Sequence, residues 1–149
     1  MDNLKYLEHV VELGKVQAAT TPEEMSGAFG AFNGFLGLYY DLAKMELQKA
    51  GIDTPPIRNF AIDKALARID ARLDCADFTI PALIRMLREH RGTRLNEEQA
   101  QKIEQSLIHF KYWLDEPGDV HACFFTENHQ ILYHSAEYLV GQMYPDVAV

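Results

Sequence analysis

FFTENHQILYHSAEYLVGQMYPD, residues 124–146, decides how the rest of the chain is read. On a helical wheel of about 100° per residue, Leu132, Ala136, Leu139, Val140 and Met143 share one apolar face. Asn128 and His129 flank that face a turn or more earlier, and Tyr133 follows His129 at i+4. Glu127, Gln130, His134 and Glu137 fall on the opposite, polar side. Thr126 offers a capping hydroxyl and Pro145 a stop, so the pattern predicts a helix over 127–143.

The same period runs outward through most of the chain. Leu4, Leu7, Val10, Val11 and Leu13 predict a helix over about 3–18. Thr21-Pro22-Glu23-Glu24 is a helix start: hydroxyl cap, proline in the first turn, acids on the positive dipole end. The helix that follows runs to about Ala50, closed by Gly51 in the left-handed conformation. Its AFGAFNGFLGLYY stretch (28–40) interleaves glycine with aromatics, which suits either a tightly packed core face or a groove for a partner or ligand. Phe60, Ile62, Leu66, Ile69 and Leu73 predict a helix over about 57–74, and Leu83, Ile84 and Leu87 another that ends near His90. Asn96-Glu97-Glu98-Gln99 is a capping box, and its helix continues through Ile103, Leu107, Phe110 and Leu114 to Glu116-Pro117-Gly118. Val120–Phe125 reads as a short extended segment. Six helices and little strand predict an all-α bundle in one domain. Within it, residues 1–55 form an N-terminal helical pair.

Composition narrows the function. The chain has 149 residues, 48% of them apolar and 24% charged, enough for one folded domain. Lys plus Arg number 14 against 22 acids, and the net charge of −8 argues against a nucleic-acid partner. No apolar run has the roughly 18 residues of a membrane span. The N-terminus lacks a secretion-signal profile, so a cytoplasmic protein is expected. Cys75 and Cys123 are too few for a disulfide framework.

The residues that could carry chemistry gather at the start of the last helix. Free backbone N–H groups and a positive dipole there favour an anionic group. Asn128 could donate to it, His129 could exchange a proton, and Tyr133 lies one turn below. The alternative is that the amide and the imidazole are satisfied core groups that tie the helix to a neighbour. Glu127, at the first helical position, suits a base or an acceptor, or is ordinary helix-end electrostatics. Asp115 and Glu116 could pair as glycosidase carboxylates, or mark a solvated helix end. Asp74 and Asp77 read as caps of the following helix and Cys123 as a core residue. Arg85, Arg88, Arg91 and Arg94 read as a helix end or an anion site. No metal is expected: His129 and His134 point about 140° apart on one helix, and His121-Ala122-Cys123 has no second half. No cofactor is implied.

YWLDEPG (112–118) followed by the 124–146 stretch resembles a group of large, mostly uncharacterised bacterial proteins. These carry an aromatic-Ser/Thr-Glu-Asn-His-Gln segment, then a helix ending in Gly-Gln and an aromatic-Pro-Asp. ARLDCADF (71–78) is similar to their upstream region. The resemblance is specific over about 112–146, weaker over about 60–95, and absent before residue 55. It implies the N-terminal part of an (α/α) toroid, the architecture of several glycoside hydrolases and polysaccharide lyases. By that likeness Asn128 would neutralise a uronate carboxylate while His129 and Tyr133 move protons. Phe125 stands where the family favours Trp. Because this chain stops at Val149, where those proteins continue, the resemblance implies a truncated piece or a short relative refitted as a free-standing bundle. The expectation is therefore a fragment or short relative of a carbohydrate-active protein, with catalytic His129, Tyr133 and Glu127. Asn128, Asp115 and Glu116 would hold a saccharide. The alternative is a non-enzymatic helical module that forms homo-oligomers through the exposed flank of its last helix.

Overall fold

A computed structural model describes residues 3–18, 28–57, 60–119 and 121–147. They are all-helical: α1 (Asn3–Ala18), α2 (Ala28–Lys49), α3 (Phe60–Asp70), α4 (Ile80–His90), α5 (Glu97–Ile108) and α6 (Glu127–Met143). A short 3-10 turn, Ala76–Phe78, precedes α4. No described helix is long and apolar enough to cross a membrane. The chain forms two compact units, Met1–Lys64 and Ala65–Val149.

In the first unit α1 packs on α2. Val11, Ala43 and Leu47 make the core, with Leu7, Val10, Tyr40 and Ile52 against them. Gly51, at φ +81°, ends α2 as expected. The Ile52 N–H donates to Leu47 O and the Gly51 N–H to Gln48 O, the two bonds of a Schellman motif. Lys44 is buried beside Asp41, donates to Pro56 O at 2.9 Å and lies over the Tyr40 ring. The expected helix start at 21–24 lies outside the described residues. Of the glycine–aromatic stretch, Gly37 is described: a Cβ there would meet Ala61 at an ordinary 3.5 Å, so no close backbone approach demands glycine.

The second unit holds the candidate site. Helix α4 buries Ile80, Leu83, Ile84 and Leu87 along one stripe, together with His90. Asn96 caps α5, its side chain accepting from the Gln99 N–H at 2.9 Å. The Gln99 side chain bonds the Asn96 amide rather than its backbone, so the box is half closed. Helix α5 ends at Ile108, short of the expected 114. Phe110 and Tyr112 still enter the core from non-helical backbone, and the Tyr112 hydroxyl donates to Leu107 O at 2.8 Å. Helix α3 stops at Asp70, four residues before the expected end. Its stop is another Schellman arrangement, with Arg72 rather than glycine at positive φ (51°). The segment 121–124 is coil, with one parallel bridge from His121 to Leu73.

Candidate functional site

Asp77 meets His129 at the heart of the second unit. Asp77 sits in the 3-10 turn and is fully buried, and His129 lies in the first turn of α6 with 8% of its surface exposed. His129 Nδ1 donates to Asp77 Oδ2 at 2.7 Å, across 52 positions of sequence. That bond fixes the ring's orientation and its tautomer. Among the described residues nothing hydrogen-bonds to His129 Nε2. The Phe78 ring meets the imidazole edge-on at 5.3 Å. Burial pushes the Asp77 carboxyl above its ordinary range, against the opposing pull of His129. One carboxylate oxygen, Oδ1, is buried without a partner.

Two further groups adjoin this pair. Asp74, Cys75 and His129 each place one potential ligand atom within 4.8 Å of the others. Cys75 is half-buried, carries a free thiol and sits at φ +62°. Its Sγ–H donates to Asp74 Oδ2 at 3.7 Å. Burial, then the charges of Asp74 and Asp77, push this thiol above its usual range. Asp74 accepts the Cys123 N–H at 2.9 Å, which holds its carboxyl below the usual range. The Asp74 carbonyl accepts from Arg68 Nε at 2.8 Å. Asp74 and Asp77, expected as helix caps, therefore do other work. Thr79 takes the cap position of α4 without a capping side-chain bond, and its hydroxyl turns back to Ala76 O.

Of the remaining predicted residues Tyr133 stays beside His129, the ring centroids 6.3 Å apart, and the others scatter. Asn128 is exposed, so the amide does not stand inside with the imidazole. Glu127 is exposed at the head of α6, and Thr126 occupies the cap without a side-chain bond. Tyr133 is fully buried, its ring stacked on Phe124 at 4.7 Å and on Phe110 at 5.9 Å. Burial and then nearby Asp77 push its hydroxyl well above the ordinary phenol range, which suits a packing group better than a proton carrier. Asp115 is exposed, and Glu116 accepts the Trp113 N–H at 2.6 Å within its own turn. Of the arginine cluster, Arg91 is taken up by Glu97 and Glu104 and Arg85 by Glu89. A cavity of about 390 Å³ lies between Asp70 and Arg72 on one side and Gln105, Ser106 and His109 on the other. Neither Asn128 nor His129 lines it.

Charge is distributed unevenly along the sequence: no Lys or Arg follows Lys111, while Asp115, Glu116, Asp119, Glu127, Glu137 and Asp146 do. Most of the net −8 thus sits in the last quarter of the chain, around α6. That helix also leaves Ile131 and Tyr138 about two-thirds exposed, and Phe125, just before it, is 83% exposed. Comparison with protein-family models, curated proteins and solved structures finds no match to this chain.

Proposed function

We propose that this chain is a helical binding module, and that the outer face of α6 receives a basic amphipathic segment of a partner protein. The observation that carries this reading is the pairing of exposed apolar side chains with a stretch of sequence that holds acids and no Lys or Arg. Ile131 and Tyr138 lie seven residues apart, two helical turns, on the side of α6 opposite His129. Such spacing is what an apolar helix stripe of a partner can fill. The surrounding acids would steer a cationic partner and repel a second copy of this chain. Two free thiols suit a cytoplasmic setting.

The test uses a synthetic amphipathic peptide with a leucine stripe and lysines on its other face. A scrambled peptide of equal charge and an acidic analogue are the controls, read by fluorescence anisotropy. The amphipathic peptide should bind, more weakly as salt rises, and Ile131→Glu with Tyr138→Glu should weaken it tenfold or more. Equal binding of the scrambled peptide, or an undiminished double variant, refutes the reading. So does a homodimer that buries this face at low salt.

A second reading rests on the Asp77–His129 pair. An imidazole oriented by a buried carboxylate, with Nε2 unbonded, is equipped as a general base, which suits the carbohydrate-active role that the sequence resemblance implies. Uronate-containing and neutral polysaccharides should then be cleaved by the wild-type chain and spared by His129→Ala. Cleavage that persists in that variant excludes the role.

A further inference from the structure

We propose that Asp74, Cys75 and His129 form a site for one divalent transition-metal ion, zinc by the character of its ligands. The three side chains supply one oxygen, one sulfur and one nitrogen, a donor set that selects zinc over calcium or magnesium. Their ligand atoms already lie within 4.8 Å of one another, and Cys75 Sγ and Asp74 Oδ2 are 3.7 Å apart. Ligand atoms around a tetrahedral zinc stand about 3.5 Å apart at bond lengths near 2.0–2.3 Å. Rotation about side-chain bonds covers the difference.

A second observation points to a cation. Asp77 is fully buried beside the cluster, one oxygen on His129 Nδ1 and the other without any partner. With His129 Nδ1 on Asp77, Nε2 is the nitrogen left for a metal, and a carboxylate on the other ring nitrogen is the usual outer shell of a zinc site. It holds the ring in place and raises its basicity.

The ligand loop is also built in advance of any ion. Cys75 is held at φ +62°, the Asp74 carbonyl is bonded by Arg68, and the Asp74 carboxylate is bonded by the Cys123 N–H. The bridge from Leu73 to His121 anchors the residue before it. Asp74 is exposed and Cys75 half-buried, so an ion can approach from solvent while His129 receives it from the interior. Three protein ligands leave a fourth position for water or for a group from a partner.

The experiment strips the full chain with a chelator and titrates it with zinc by calorimetry, then with cobalt by absorption. One equivalent should bind, and cobalt should give a thiolate-to-metal charge-transfer band. Cys75→Ser should remove the band and weaken zinc at least tenfold. Asp77→Asn should keep the band and weaken binding about 10–100-fold, as a positioning residue would. Cys123→Ser should change neither. His129→Asn should weaken zinc at least tenfold where circular dichroism shows it folded, and Cys75→Ser, at a half-buried position, keeps the test decisive where it does not. Absence of stoichiometric binding by the wild-type chain overturns the proposal. Binding that survives Cys75→Ser at full affinity, or a band that follows Cys123 instead, overturns it equally.

Discussion

Replacing Tyr133 by phenylalanine should make this protein more stable. The Tyr133 side chain is fully buried, and its hydroxyl has no hydrogen-bond partner. A buried polar group left unpaired costs about 1–3 kcal/mol relative to water. The ring itself contributes by stacking, at 27° on Phe124 and 16° on Phe110, and phenylalanine preserves both contacts. Removing the oxygen leaves a gap of about one small atom, which offsets part of the gain. The net expectation is a stabilisation of about 1–2 kcal/mol. For a chain of this length that raises the melting temperature by about 2–8 °C. The single tryptophan, Trp113, packs edge-on against Phe124 at 5.5 Å and so reports on this cluster directly. Urea unfolding followed by its fluorescence should move to higher midpoint with an unchanged slope. A loss of 1 kcal/mol or more would mean that the hydroxyl is bonded, to a buried water for instance, and would refute the reasoning.

Three further perturbations test the architecture. Asp77→Ala leaves the buried His129 Nδ1–H without its acceptor and should cost about 1–3 kcal/mol; a double-mutant cycle with His129→Ala should return a coupling above about 0.5 kcal/mol, and additive effects would dissolve the pair. Gly118→Ala should cost about 1–3 kcal/mol, because Gly118 stands at φ +102° and a Cβ there collides with the Arg72 guanidinium. Gly92→Ala, at φ +71° in open space, bears only the backbone penalty and should cost less; equal losses would remove Arg72 from the explanation. Tyr144 has its phenol pKa raised from 10.0 to about 12, by burial first and then by its hydrogen bond to Glu104. Its folded-state pKa exceeds the unfolded one, so its contribution is intact below pH 10.0 and lost as pH rises towards about 12. Tyr144→Phe should therefore show a shallower stability loss across that window, and parallel wild-type and variant profiles would contradict it.

Helices were legible where a single period governs burial. Residues 3–18 and 127–143 were expected as helices and are found as Asn3–Ala18 and Glu127–Met143. Gly51 announced the end of α2 because glycine alone takes the left-handed conformation without strain. The end of α3 was hidden for the converse reason: its left-handed residue is Arg72, which no sequence rule marks as a stop. Arg72 is held there by bonds that come from far along the chain, to the carbonyls of His109, Pro117 and Asp119. Helix α5 was read too long because Phe110 and Leu114 continue its period, yet Phe110 enters the core from non-helical backbone and Leu114 is exposed. At the site, the wheel turned His129 inward correctly but could not name Asp77, since periodicity within one helix says nothing of residues 52 positions away. Asn128, one residue earlier and 100° round the helix, is exposed, so flanking an apolar face proved too loose a criterion for burial.

The segment between α3 and α4 ties these observations together. Arg72 bonds the turn before α6, Leu73 bridges His121, Asp74 accepts the Cys123 N–H, and Asp77 holds His129. Four of six consecutive residues thus reach the connection into α6 or its first turn. One consequence is rotational. With His129 fixed inward, Ile131 lies about 200° and Tyr138 about 180° round the helix from it, so the pin that buries the imidazole also sets which side chains face outward. The proposed docking face and the proposed metal site, though on opposite sides of α6, are then settled by the same bond. A partner that reads Ile131 and Tyr138 would sense a change at Asp77 through the phase of the helix, without touching the residue. Release of that phase by Asp77→Ala should weaken the basic peptide even where α6 keeps its helicity, whereas a direct change at exposed Asn128 should leave binding as it was.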